Sequence, residues 1–164
     1  MVVGDSGRGK STFAHFLHKQ TGLPLYAGDD YFWKVKYSEK NDKEQSLIDI
    51  SRIYHKPEWI MEGSSRALMI EGLEKSDKIY YLEFKSLLAQ YYFLIKREIG
   101  RNLKIRKNFI DLLIHITKLK LFKNYHNVVP RFPELLKPYH HKLTTFHSLK
   151  QIKQFMRDVE SLNR

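Results

Sequence analysis

Eight residues near the start of the chain, Gly4-Asp5-Ser6-Gly7-Arg8-Gly9-Lys10-Ser11, satisfy G-x-x-x-x-G-K-[ST] at every fixed position and follow the apolar pair Val2-Val3. In this pattern the glycines let the backbone curl so that successive N–H groups face one concavity. A helix expected to begin at about Lys10 adds the positive end of its dipole to the same point. Such a nest suits a nucleoside triphosphate. Lys10 reaches the terminal phosphates, the Ser11 hydroxyl is placed to hold a magnesium ion, and residues from Gly4 to Thr12 make the cradle. The amphipathic run Thr12-Phe13-Ala14-His15-Phe16-Leu17 supplies the helix that the motif requires behind the loop.

A phosphate cradle alone names no reaction. The sequence has no N-K-x-D element for guanine and no D-x-x-G switch after a strand, which argues against a GTPase, and it is too short for a motor ATPase module. What it does have fits phosphoryl transfer. That reaction needs a carboxylate to orient or deprotonate the acceptor, an acid near the metal, and cations for the charge developing on the transferred group. Asp29, with Asp30 second, stands where a short apolar run ends and is the expected acceptor contact or general base. Glu62, closing a second such run, is expected to hold magnesium through water. Arg97, Arg101 and Arg106 are spaced so that a segment carrying them folds over phosphates. Trp33 reads as core, with the wall of an acceptor pocket as its other place. None of the eight histidines pairs at metal-ligand spacing with an acid, so no zinc site is expected.

The elements that position these groups alternate between strand and helix. Strands are expected at 25–27, 58–61, 78–84 and 142–146, after a first strand that only Met1 to Val3 supply. Helices are expected over about 10–20, 47–54, 67–75, 86–99 and 149–162, with Ser148 as cap of the last, further helix around 109–116 and 131–141, and an exposed connection at 34–46. Alternation of this kind predicts an α/β fold with a parallel sheet and helices on both faces. In such sheets ligands sit beyond the carboxyl ends of the strands, where the loop, Asp29 and Glu62 all fall.

The 164 residues, 42% of them hydrophobic, suffice for one core, so residues 1–164 are expected to form a single domain. With no cysteine, disulfides and thiolate metal sites are excluded. No membrane span or signal peptide is expected, and the reading is of a soluble cytoplasmic protein. The net charge of +11 is uneven: residues 1–84 carry 12 Lys and Arg against 13 acids, residues 85–164 carry 17 against 5. A basic half of this kind suits nucleotide phosphates under a lid or a nucleic-acid face.

The segments G-D-S-G-R-G-K-S-T, L-P-L-Y-A-G-D-D-Y-F-W, W-I-M-E-G-S-S-R and S-D-K-I-Y-Y-L-E-F, in this order, resemble the small P-loop kinases related to adenylate kinase, most nearly the topology modulation proteins (FlaR-like). The resemblance implies a three-layer α/β/α sandwich with a five-stranded parallel sheet in the order 2-3-1-4-5. It also implies ATP with magnesium, adenine near His147-Ser148, and a basic helical lid at about 100–138. Asp29 falls on the family's acid after the second strand and Trp33 on its aromatic. Glu62-Gly63-Ser64-Ser65-Arg66 resembles D-G-x-P-R, which gives Glu62 the magnesium-shell role and Arg66 an acceptor phosphate. Glu and Ser stand there in place of Asp and Pro, which weighs against AMP as the acceptor. The expected function is ATP-dependent phosphoryl transfer to a small-molecule or nucleotide acceptor, with Lys10, Asp29, Arg97 and Arg101 catalytic. The alternatives are a nucleotide-gated nucleic-acid-binding protein and a degenerate kinase that binds ATP only structurally.

Overall fold

The structure, a computed structural model, describes residues 1–35, 39–83, 91, 94–95, 113–114, 117 and 129–162. Five strands form one parallel sheet: β1 (Val2–Val3), β2 (Leu25–Ala27), β5 (Ile60–Gly63), β6 (Ile79–Leu82) and β7 (Leu143–Phe146), in the spatial order β2-β5-β1-β6-β7. Counting only these five, the order is 2-3-1-4-5, as expected. Flanking them are the helices α1 (Lys10–Thr21), α3 (Lys43–Tyr54), α4 (Arg66–Lys75) and α6 (Leu149–Leu162). Two short helices, α2 (Gly28–Phe32) and α5 (Phe132–Leu135), and a 3-10 turn at Lys137–Lys142 complete the described elements, with a small hairpin of β3 (Trp33–Val35) and β4 (Glu39–Lys40). None of the described helices is long and apolar enough to cross a membrane.

Side chains alternate across a strand, and here they divide into two cores. Val3, Met61, Ile79 and Tyr81 point to the face covered by α3, α4 and α5, where they meet Ile50, Ile53, Tyr54, Leu68, Met69, Leu73 and Phe132. Val2, Ile60, Tyr80 and Leu82 point to the face covered by α1 and α6. Phe13 of α1 stands edge-on there to Tyr80, Phe146 and Phe155, with centroids 5.2, 5.4 and 5.7 Å away, an arrangement that favours aromatic pairs beyond their buried area. β1 is short but central. It pairs with β5 on one side and β6 on the other, and the Met1 carbonyl accepts from Tyr80 N–H at 2.8 Å.

Several expectations shift. The connection at 34–46 instead contains the β3–β4 hairpin and the first turn of α3, which runs for 12 residues because the Asp42 carboxylate caps it by accepting from Gln45 N–H at 2.8 Å. Its buried face starts at Ser46 and its first apolar residue is Leu47, so the polar first turn carries no hydrophobic signal. The third strand of the sheet lies at Ile60–Gly63 rather than 58–61, so Glu62 is inside it rather than beyond it. Ser148 caps α6 as expected, its Oγ accepting from Gln151 N–H at 3.3 Å, while the Gln151 side chain accepts from His147 N–H at 2.7 Å.

The segment from Pro130 to Lys142 is fastened to α4 at both ends. Arg66, the first residue of that helix, donates to the Pro130 carbonyl at 3.1 Å. Lys142 donates to the carbonyls of Glu74 and Ser76 at the other end, at 2.8 and 2.6 Å, where a cation also complements the helix dipole.

Candidate active site

The loop from Gly4 to Gly9 joins β1 to α1 at the carboxyl edge of the sheet. Three of its residues are glycines with positive φ, at 146° (Gly4), 77° (Gly7) and 84° (Gly9), and Gly9 is the N-terminal cap of α1. At Gly4 the requirement is also steric. A Cβ there would stand 2.6 Å from the Leu82 carbonyl oxygen, because β6 closes directly against the start of the loop. The Lys10 ammonium is largely buried, with 7% of the residue exposed, and donates to the Asp5 carbonyl at 3.2 Å, so it is folded over the loop rather than into solvent.

Ser11 lies on the first turn of α1 and Glu62 near the end of β5, 51 positions apart in the chain. The Ser11 hydroxyl donates to Glu62 Oε1 at 2.9 Å. Two oxygen donors converging at the mouth of a phosphate loop are the hard ligands that magnesium takes, usually as one or two protein oxygens with waters and phosphates completing its shell. No cluster of three or more metal-ligating acids and histidines occurs among the described residues.

Asp29 and Asp30 occupy the first turn of α2, immediately after β2. Register places them beside Glu62, since Ala27 pairs with Glu62. The approach is close: a Cβ on Gly28 would be 3.3 Å from the Glu62 carbonyl oxygen and 2.6 Å from the Met69 methyl. Asp29 is half-buried and Asp30 exposed. Trp33 follows at the end of α2, its ring edge-on to Phe32 at 4.8 Å, with the hairpin folded back by Asn41 and Ser46, which both donate to the Tyr31 carbonyl, at 3.0 and 2.7 Å.

Of the residues singled out from the sequence, Gly4 to Thr12, Asp29 and Glu62 thus share one edge. Arg66 opens α4 just past β5, but its guanidinium is turned to Pro130. Arg97, Arg101 and Arg106, with the expected lid as far as residue 128, lie outside the described residues apart from 113–114 and 117. Three features went unread in the sequence. Arg131 is brought beside that contact as the residue after Pro130; the Arg8 side chain is buried, with only 2% of the residue exposed; and Glu83, just past β6, has its Oε2 3.3 Å from His147 Nδ1. An Arg between two glycines of the loop was the available signal for the second.

No family model matches the sequence, and no curated protein matches it. Solved structures do match the fold. The shikimate kinase from Acinetobacter baumannii in complex with shikimate aligns with a TM-score of 0.56 at 15% identity, over 98% of this chain and 89% of that one. The shikimate kinase from Bacteroides thetaiotaomicron aligns at 0.57 and 13%, over 98% and 95%. The fold is that of the P-loop NTPases. A gluconokinase from Sinorhizobium meliloti 1021 aligns at 0.53 and 14%, over 96% and 87%. Identities this low speak for the architecture, and the chemistry has to come from the site itself.

Proposed function

We propose that the protein is an ATP-dependent kinase that transfers a phosphoryl group to a small-molecule or nucleotide acceptor in the cytoplasm. The observation that carries this reading is the 2.9 Å contact of Ser11 with Glu62 at the mouth of the loop, with Asp29 at the neighbouring strand end. Two hard oxygen donors and a nearby carboxylate on one edge support the reading, because phosphoryl transfer needs oxygen ligands for a metal and an acid for the acceptor. The solved kinases with this fold support the same class, and their named acceptors are hydroxylated small molecules. The narrower kinship with the topology modulation proteins rests on the sequence motifs.

In this mechanism the loop N–H groups and Lys10 hold the phosphates of ATP. Ser11 and Glu62 would hold magnesium, which would supply positive charge against the phosphates. Asp29 orients the acceptor hydroxyl and takes its proton as the oxygen attacks the terminal phosphorus; that phosphorus parts from the bridging oxygen, which leaves on ADP. Arg66 binds an anionic group of the acceptor, Trp33 lines its pocket, and Arg97 and Arg101, which lie outside the described residues, offset the charge on the transferred group. The reading is tested by screening nucleosides, nucleotides and hydroxylated metabolites for ATP-dependent ADP release, with Asp29→Asn beside the wild type. If no acceptor lifts turnover above slow hydrolysis, the kinase reading is lost. If one does and Asp29→Asn is as fast, the role of Asp29 is wrong.

The excess of cations in residues 85–164 favours a second reading, a nucleotide-gated nucleic-acid-binding protein. DNA binding that falls steeply with salt and survives Lys10→Ala, without transfer to any acceptor, would replace the first reading with this one.

A further inference from the structure

The outer face of α3 carries an apolar centre that the rest of the described fold leaves uncovered. The helix turns Ser46, Ile50, Ile53 and Tyr54 inward, and the last three join the core on that side of the sheet. Leu47 and Ile48 stay at the surface, with 38% and 50% of each residue exposed. They line a groove between α3 and α4 together with Ser51, Arg52, His55 and Glu71. Single exposed apolar residues are ordinary, but adjoining ones in a groove mark a surface that another molecule covers. The polar groups of this groove are already satisfied among themselves. Ser51 Oγ donates to Glu71 Oε1 at 3.1 Å, and His55 Nδ1 lies 2.9 Å from the Ser51 carbonyl oxygen. Lys75 Nζ stands 3.0 Å from His55 Nε2 and 3.8 Å from Glu71 Oε1. Covering the groove therefore leaves these groups their hydrogen bonds.

The charges beside it say what the cover is. Glu44 and Arg52, both exposed, stand four residues before and four residues after Ile48, so all three share one ridge of the helix. Each charge lies about 6 Å from Ile48 along the axis, in opposite directions. A second copy of α3 laid antiparallel over the first, with a two-fold axis at Ile48, brings Ile48 onto Ile48. The same rotation sets Glu44 of each copy against Arg52 of the other, at both ends of the contact. A parallel pairing would instead set Glu44 against Glu44 and Arg52 against Arg52. The face is thus its own complement in one orientation, which is what a two-fold interface requires. Arg52 donates to Asp49 Oδ1 at 3.0 Å, but an exposed pair of this kind is weak enough to share the guanidinium with a second acid. We propose that α3 is the interface of a homodimer, two-fold symmetric about Ile48, in which Glu44–Arg52 pairs flank an apolar centre of Leu47 and Ile48 from both copies. The contact is small, one 12-residue helix and its groove from each copy, so the dimer is a weak one. No residue of α3 belongs to the candidate site, and the proposal stands apart from the kinase reading.

The test is the oligomeric state of the full chain, read by sedimentation velocity over a concentration series, with the far-ultraviolet spectrum and melting temperature as folding controls. The wild type is expected to dimerise with a dissociation constant on the order of 10 μM. Ile48→Glu should raise that constant by about a hundredfold or more, because it buries a charge at the centre of the contact. Glu44→Arg and Arg52→Glu should each raise it by about tenfold. The two together should come back to within about threefold of the wild type, because the exchange rebuilds both pairs. Three results overturn the proposal. One is a wild type that stays monomeric up to about 1 mM. Another is a dimer that Ile48→Glu leaves as tight as before. The third is a double variant as weak as the product of the two single effects, which would mean that Glu44 and Arg52 do not face each other. Failure of the kinase reading shows separately, as absent turnover with the dimer intact.

Discussion

The proposed donor side of the site and the proposed acceptor side share one sheet edge but are built differently. On the donor side the loop is wedged between β1, β6 and α1, with Gly4 against the Leu82 carbonyl, Arg8 and Lys10 buried, and Ser11 bonded to Glu62. On the acceptor side Asp29 and Trp33 ride on a five-residue helix and a hairpin whose second strand is two residues long. The hairpin is tied back by contacts within residues 31–46 and by an exposed Lys34–Glu39 pair, which adds little stability. Under the proposed function, the difference means that the phosphate-handling geometry is preset by the central sheet, whereas the acceptor side is set by a local unit that can vary without disturbing it.

The comparison is most severely tested at Lys10. Lys10→Ala should lower ATP-dependent turnover on the order of a thousandfold while the far-ultraviolet spectrum is unchanged. Next comes Asp29→Asn, expected to lower kcat by about a hundredfold, with ATP affinity by calorimetry as in the wild type. A matching loss of ATP affinity would mean that the two sides are not separable. Ser11→Ala and Glu62→Gln should each raise the magnesium concentration needed for half-maximal rate by about tenfold, and the double variant should fall short of the product, because the two groups share one contact. Additive effects would place them at separate sites.

The smallest effect concerns the core under the acceptor side. The Tyr54 hydroxyl donates to the Leu68 carbonyl at 3.0 Å and ties α3 to α4. Burial, then nearby Glu71, pushes its pKa well above the usual value of 10.0, and burial does the same to Tyr81. The unfolded chain therefore ionises these phenols first. Above about pH 10 the folded state binds more protons than the unfolded one, so stability falls as pH rises through that value and is unaffected below it. Tyr54→Phe should cost about 1 kcal/mol at neutral pH and make the alkaline decline shallower, as read from melting temperature against pH. An equally steep decline would assign the alkaline loss to other groups.

Much of the donor side was legible because its signals are local. The glycine spacing, Lys10 and Ser11 stand within eight residues, and the alternation of apolar runs led to the parallel sheet. The strand order and the last helix came out as expected, the latter because its apolar period and Ser148 cap agree. The acceptor side was less legible. Asp42 as cap of α3 was hidden in a charged stretch that reads as a connection, and β3 and β4 are too short to show alternation. Glu83 with His147, and likewise Arg66 with Pro130, are linked only by tertiary contact. No periodicity in one segment encodes a partner 64 positions away.

The fastening of residues 130–142 to the two ends of α4 bears on how the chain folds. Arg66 reaches across 64 positions, and Lys142 reaches back across 66 and 68, so a ten-residue helix gains its end contacts only after most of the polypeptide exists. Closing loops of that length is entropically costly before the contacts repay it. During synthesis, α4 and the face of the sheet beneath it stay incompletely covered until Phe132 and Leu136 arrive. The two halves of this chain should therefore gain their native structure in one late cooperative step rather than from the amino terminus onward.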